Sequence, residues 1–452
     1  MGRRPNMLFV MSDEHRPDIV GYEGNEVVRT PVLDELAATG VVFRNAYTPS
    51  PICIPGRQSL MSGQFPSTTG CRVFGQDLAP GSMTFARQLA RHGYETVACG
   101  KLHHLGTDQM QGWTRRIAGD MTVASHFIDE RDTDAYTRYV RPMTEVKWSD
   151  AKEIARAGVG RAPSAREDEH ALQGAFNFIE EHFSNPYYDR EQRKRPVLLK
   201  LSLRQPHYPY FTTEEKFTWY LNRVQPFADQ GVSTHPALNR RRVVPGVDVS
   251  EREIRRAIAA YFGMIETVDD YAGDVMDALR HVGEDLDDWI IIYTADHGEM
   301  LGEHGVWEKQ KFYEASARVP LIIRWPKRLP AGQVVEENVN LCDLFATICE
   351  LAGVPAPDGL DSRSLVPLMD GDASDWDNET VSQFGLDDLM IKRGSLKYQS
   401  YGPDFPEVLF DLEHDPTETV DFASHPDYQR QMARFRERRA ELGYGFVNGR
   451  PL

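Results

Sequence analysis

Six short apolar runs limit the fold more than any other feature of this chain: Met7–Met11, Val41–Tyr47, Glu95–Cys99, Val197–Ser202, Trp289–Thr294 and Leu321–Arg324. Each reads as a strand buried on both faces, and helical patterns alternate with them. Thr30, Pro31 and Gly40 mark a helix with a cap before it, proline at its first position and glycine past its end. Ser250 with Glu253 three residues on is a capping box, and it opens a long apolar periodicity that runs to Gly283. Strands alternating with helices predict an α/β fold, a large mostly parallel sheet flanked by helices. The texture changes near residue 375. The shorter runs Val381–Phe384, Met390–Tyr398 and Val408–Asp411, followed by a charged helix over Tyr428–Leu442, predict a smaller C-terminal domain with an antiparallel sheet and a helix. The expected division is residues 1–375 and 376–452. The polar stretches 143–169 and 240–256 take no clear element and are read as insertions that shape a pocket.

The net charge of −17 on 452 residues argues against general nucleic-acid binding. It also means that a site for an anionic substrate must carry its own cations. No apolar run is long enough to span a membrane. The opening MGRRPNMLFVMSDEH has too short an apolar segment for a leader, so it reads as a first strand and a cytoplasmic protein is expected. The five cysteines (Cys53, Cys71, Cys99, Cys342, Cys349) are odd in number and scattered, which is no disulfide framework. Cys342 and Cys349, seven apart, are expected on one buried helix face. Only Cys53 has an unusual context.

In an open α/β sheet, ligands bind beyond the carboxyl ends of the strands. Reactive residues collect there. Asp13 and Glu14 follow the first strand, Lys101 and His103 the third, His207 the fourth, and Asp296 and His297 the fifth, while Cys53 opens a helix after the second. Carboxylates with an imidazole suit Ca²⁺, Mg²⁺ or Mn²⁺ better than zinc. Pro55 fits the first turn of the helix opened by Cys53 and Gly63 its end. That helix start favours an anionic oxygen or sulfur, and Arg57 lies one turn on. His304 reads as structural, and Arg240–Arg242 as a solvated face.

The segment Cys53-Ile54-Pro55-Gly56-Arg57-Gln58-Ser59-Leu60-Met61-Ser62-Gly63 resembles the C-x-P-x-R, x-x-L-x-[ST]-G signature of the type I sulfatases, in the alkaline phosphatase superfamily. That signature is also read by the enzymes that oxidise its cysteine to formylglycine. The resemblance extends to GKLHHLG at 100–106, QPHYP at 205–209, the segment 295–324 and LFDLEHDPTE at 409–418, and is strongest toward the choline sulfatase and bacterial arylsulfatase branch. It implies an alkaline phosphatase-like fold and hydrolysis of a sulfate monoester to alcohol and sulfate. The implied metal ligands are Asp13, Glu14, modified Cys53, Asp296 and His297, holding calcium, with manganese or magnesium as alternatives. The hydrated aldehyde at residue 53 would attack sulfur, and its second hydroxyl would later expel sulfate. Arg57 and Lys101 would hold the diol and sulfonate oxygens. His103 would be the base for sulfate release, and His207 and Lys309 would serve the leaving oxygen. Lys309 is taken over Lys311 because it stands five residues before Glu314. This chain has Glu14 where the family often has Asp or Gln, His297 where many members have Asn, and Gly56 where Ser or Ala is commonest.

The implied partners are a small-molecule or carbohydrate sulfate ester and a formylglycine-generating enzyme, with neither nucleic acid nor membrane. The apolar groups of the tail GYGFVNGRPL offer a surface for a homo-oligomer. The competing readings are a phosphonate monoester or phosphodiester hydrolase, which would carry Tyr and Thr in place of Lys101 and His103, and a non-catalytic binding protein. The alcohol is unread. An aromatic cage for a choline-like group would have to draw on Trp113, Trp148 or Trp219.

Overall fold

The structure is a computed structural model that describes residues 4–120, 150–184, 195–227, 231, 233–444, 446–447 and 450–451. Eight strands form the main sheet: β1 (Asn6–Asp13), β2 (Val41–Tyr47), β3 (Glu95–Gly100), β4 (Arg115–Ala118), β5 (Val197–Pro206), β6 (Trp289–Ala295), β7 (Leu321–Arg324) and β8 (Gln333–Asn340). Their order is β8-β2-β7-β6-β1-β5-β3-β4. β7 runs antiparallel to both neighbours, and every other pairing is parallel. All six expected strands are present. β4 and β8 escaped the sequence reading because both are edge strands, and an edge strand need not be apolar throughout.

The two faces of the sheet make two cores. In β1, Met7, Phe9 and Met11 enter one, with Leu344, Phe345 and Ile348 of the helix Leu344–Leu351; Leu8 and Val10 enter the other, with Val268, Val275 and Leu279 of the helix Glu251–His281. The period-2 alternation of a strand is what lets one apolar run feed both.

The capping box at Ser250 forms: its hydroxyl accepts from the Glu253 N–H at 3.2 Å, and the Glu253 carboxylate accepts from the Ser250 N–H at 2.7 Å. Replacing Ser250 with alanine is expected to lower stability by about 1 kcal/mol, read as a lower unfolding midpoint with unchanged activity; an unshifted midpoint would refute the cap's contribution. Thr30 departs from expectation. It precedes the helix Pro31–Thr39, but its hydroxyl accepts from Gly21 N–H and donates to Asp34. The first-turn N–H groups of Val32 and Leu33 are instead taken by the Asp269 carboxylate of the long helix, at 3.1 and 2.8 Å.

The C-terminal part holds a four-stranded antiparallel sheet, Glu379–Phe384, Asp388–Arg393, Leu396–Tyr401 and Val408–Asp411, against which the helix Gln429–Glu441 lays Met432 and Phe435. The single run expected over Met390–Tyr398 is two strands joined at Gly394, whose φ of 57° makes the turn. Cys342 and Cys349 are both buried, but Cys342 sits in the 3₁₀ turn Leu341–Asp343 ahead of the helix that carries Cys349. The polar stretch near 143–169 contributes the helix Asp150–Arg156 and the start of Pro163–Ile179. Of the three tryptophans, Trp113 is core, packed on Phe85, and Trp219 lies between Arg29 and Arg223; Trp148 and positions 445, 448, 449 and 452 of the C-terminal tail are outside the described residues. Among the described residues no helix is long and apolar enough to cross a membrane.

Candidate active site

The strands β6, β1, β5 and β3 are adjacent and parallel, so their carboxyl ends lie in line. Asp296 follows β6, Asp13 ends β1, His207 follows β5 and Lys101 follows β3. The helix Cys53–Ser62, with all ten residues buried, points its first residue at this edge. Asp13, Cys53, Asp296 and His297, all buried, each bring one donor atom to within 4.8 Å of the others. Cys53 Sγ lies 3.2 Å from His297 Nε2 and 3.8 Å from Asp13 Oδ1. The other ring nitrogen of His297, Nδ1, is 3.0 Å from the Gly298 carbonyl, which leaves Nε2 for the cluster.

Arg57 binds this group from beneath. Its Nε donates to Asp296 at 2.7 Å, Nη2 to Asp13 at 2.9 Å, and Nη1 to the Lys101 carbonyl and the Ser202 hydroxyl, each at 2.9 Å. Lys101 Nζ is 2.5 Å from Asp13. Burial opposes ionisation of Asp13, but the Lys101 and Arg57 charges prevail and hold its carboxyl well below the usual range. Burial and the charge of Asp13 push the Cys53 thiol up to about 12. An unmodified Cys53 is therefore a protonated thiol, the opposite of what a thiolate nucleophile needs.

Glu14 belongs to a second group. Its carboxylate groups with Asp13 and His207, accepts from Lys309 Nζ at 2.7 Å and stands 3.5 Å from His207 Nε2, while Lys309 Nζ is 2.7 Å from the same imidazole nitrogen. Glu14 meets the first cluster through its carboxylate, which has an oxygen within 4.8 Å of Asp13, and through its backbone N–H, which donates to Asp296 at 3.0 Å. Burial, against the pull of Lys309, pushes the Glu14 carboxyl well up. Burial and the nearby lysines keep His207 and His103 neutral, with Lys309 acting on the first and Lys101 on the second. His103 is held by its backbone N–H on Asp120 at 2.7 Å and by its ring edge on Phe74, and its Nδ1 has no hydrogen-bonding partner among the described residues. His104 turns away to the Gln109 carbonyl. Lys311 also lies apart, donating to the Ala237 carbonyl. His304 stacks on Tyr313 away from the cluster.

Gly56 has a structural reason. A Cβ there would meet the Ser50 carbonyl at 2.9 Å and Thr48 Oγ1 at 3.2 Å, so the loop before Cys53 packs against bare backbone. Four neighbours of the site were not anticipated: Ser202, Glu299, Glu308 and Arg241. Glu299 had a signal, as the last residue of DHGE at 296–299, and Ser202 ended an expected strand. Arg241 had none, because the run Arg240–Arg242 looked solvated; in the structure Arg240 pairs with Asp388 and Arg241 with Glu308.

The sulfatase family model matches residues 5–354, and the model for the C-terminal region of N-sulphoglucosamine sulphohydrolase matches residues 302–443. A choline-sulfatase of Rhizobium meliloti (strain 1021) is 30% identical over 97% of this chain and 86% of its own length. An arylsulfatase of Clostridium perfringens (strain 13 / Type A) is 28% identical over 95% of this chain and 92% of its own. The crystal structure of a phosphonate monoester hydrolase of Agrobacterium radiobacter superposes with a TM-score of 0.76 at 22% identity, covering 97% of this chain and 95% of that one. BT4656, solved in complex with its substrate D-glucosamine-2-N,6-O-disulfate, has a TM-score of 0.76 at 19% identity, covering 97% and 98%. At such identities the structural likenesses speak for the fold.

Proposed function

This chain belongs to the sulfatase family, in the alkaline phosphatase superfamily, and from that premise we propose that it cleaves a sulfate monoester to alcohol and inorganic sulfate at the cluster around Cys53. The observation that carries the reading is the joining of a four-donor group, Asp13, Cys53, Asp296 and His297, with the buried cations Arg57, Lys101 and Lys309 in an otherwise acidic protein. A tetrahedral anion needs such cations in a place that excludes water.

The donor set fits a divalent cation. Two carboxylates bonded by Arg57, and an imidazole whose free nitrogen faces them, suit calcium first, with manganese or magnesium as alternatives. Asp13, Asp296, His297 and residue 53 would hold it. Glu14 would join them through Oε1, which has no hydrogen-bonding partner among the described residues, while Lys309 engages Oε2. Bound there, the cation would supply positive charge that acidifies a nucleophilic hydroxyl, and formylglycine at residue 53, made by a formylglycine-generating enzyme, would supply that hydroxyl in its hydrate.

The chain's own groups carry the remaining roles. Every nitrogen of Arg57 is engaged by Asp296, Asp13, Lys101 O or Ser202, so Arg57 orients the two carboxylates more than it grips sulfate. Lys101 and Lys309 flank residue 53 and hold the sulfonate oxygens. Lys309 delivers a proton to the departing oxygen, and neutral His207, with Nε2 2.7 Å from Lys309 Nζ, orients that ammonium. His103, neutral and with Nδ1 unpartnered among the described residues, takes the proton that releases sulfate. The relatives named for choline sulfate and for a sulfated glucosamine support a small-molecule or carbohydrate sulfate ester as the substrate.

The test compares kcat/KM for an aryl sulfate and an aryl phosphonate monoester on protein co-produced with a formylglycine-generating enzyme. The sulfate is expected to be preferred by at least about 100-fold, roughly 3 kcal/mol of transition-state discrimination. Preference for the phosphonate would overturn the assignment of Lys101 and His103 to sulfate and favour the phosphonate monoester hydrolase reading, which the structural likeness keeps in play.

A further inference from the structure

Lys309 stands between two residues whose backbone conformation side chains do not adopt readily. The residues on either side, Glu308 and Gln310, have φ of 60° and 70°. Such a conformation persists only where the surroundings dictate it, and the surroundings here can be named. The Glu308 N–H donates to Glu299 Oε1 at 2.6 Å, the Glu308 carbonyl accepts from Met300 N–H at 2.9 Å, and the Gln310 N–H donates to the Pro51 carbonyl at 2.9 Å. The Glu308 side chain, 2% exposed, is tied to Arg241. Arg241 comes from a separate loop that is itself joined to the Lys309 loop, by Val243 N–H on the Gly305 carbonyl and by the bridge between Arg242 and Val306. Asp150 lies 3.9 Å from the same guanidinium.

We infer that Arg241 is a positioning residue for Lys309: by pairing with Glu308 it fixes the turn that aims the Lys309 ammonium between Glu14 and His207. The inference rests on the sulfatase reading of the site only in taking sulfate as the anion that Lys309 meets. Arg241 touches none of Asp13, Cys53, Asp296 or His297 through a hydrogen bond or ion pair, and its nearest ion-pair partner is Glu308, the residue before Lys309, with Asp150 farther off at 3.9 Å. A charge placed about 1 Å wrong costs on the order of tenfold to a hundredfold in a preorganised site.

The experiment is a double-mutant cycle on the full-length protein, read as the dissociation constant of inorganic sulfate by calorimetry, with kcat and KM for an aryl sulfate alongside. Arg241→Met is expected to weaken sulfate binding about tenfold, Arg241→Lys to regain most of it, and Arg241→Met to add nothing in a Lys309→Met background. Glu308→Gln serves the same cycle if Arg241→Met does not fold. Equal weakening in both backgrounds would make Arg241 a general structural residue, and no weakening in either would remove it from the site; both overturn the inference. Failure of the sulfatase reading looks different: a wild-type enzyme that binds sulfate, gives the cycle described, yet turns over no sulfate ester.

Discussion

Cys53→Ala is expected to abolish sulfate ester turnover, with kcat falling by at least about 10⁴-fold, while the protein stays folded. The stability side follows from what the side chain does now. Cys53 is 2% exposed and its thiol, a weak hydrogen-bonding group, meets His297 at 3.2 Å and Asp13 at 3.8 Å, so deleting one sulfur from a helix start costs about 1 kcal/mol. The activity side follows from what alanine cannot become: it has neither thiol to oxidise nor hydroxyl to attack sulfur. Steady-state turnover of an aryl sulfate and a thermal melt, on variant and wild type prepared with the same modifying enzyme, check both halves. Turnover within tenfold of wild type would remove residue 53 as the nucleophile, whatever its modification.

Arg57→Met is expected to have the largest effect on folding of any single change at the site. Asp13 and Asp296 have no exposed surface, and Arg57 is the ion-pair partner they share. Taking one member from a buried charge group leaves the others uncompensated, at a cost of about 3–5 kcal/mol. Methionine keeps much of the stem's volume, so the loss reports charge and hydrogen bonding more than a cavity. Urea unfolding of protein stripped with a chelator measures it. Adding calcium should return part of the loss, because a bound cation supplies positive charge to the same carboxylates and stabilises the folded state by mass action. A variant as stable as wild type without metal would mean that the Arg57 pairing with Asp13 and Asp296 adds no stability, and the proposed cation site would lose its basis.

The sequence by itself determined the parts that depend on period and local chemistry. Six apolar runs became strands of one sheet, the capping box at Ser250 formed as Ser250 and Glu253 required, and a carboxylate, an imidazole or a lysine at the carboxyl end of each of four strands was enough to bring Asp13, Lys101, His207 and Asp296 to one edge. Cys53 with Pro55 and Arg57 marked a reactive helix start before any neighbour was known. Three-dimensional packing decided where the side chains at that edge point. Glu14 follows Asp13 directly, yet its carboxylate meets Lys309, 295 residues away. Arg57 could be placed one turn from Cys53, but its partners come from β1, β6 and the ends of β3 and β5, and no local pattern encodes four separate strands meeting one guanidinium. The same holds for Thr30, whose capping duty passed to Asp269, and for Arg241, which reads as solvated until Glu308 is brought beside it. Periodicity reports which face of an element is buried; the partner of a buried charge is fixed by Coulomb attraction and desolvation across the whole fold, and those act between residues far apart in the chain.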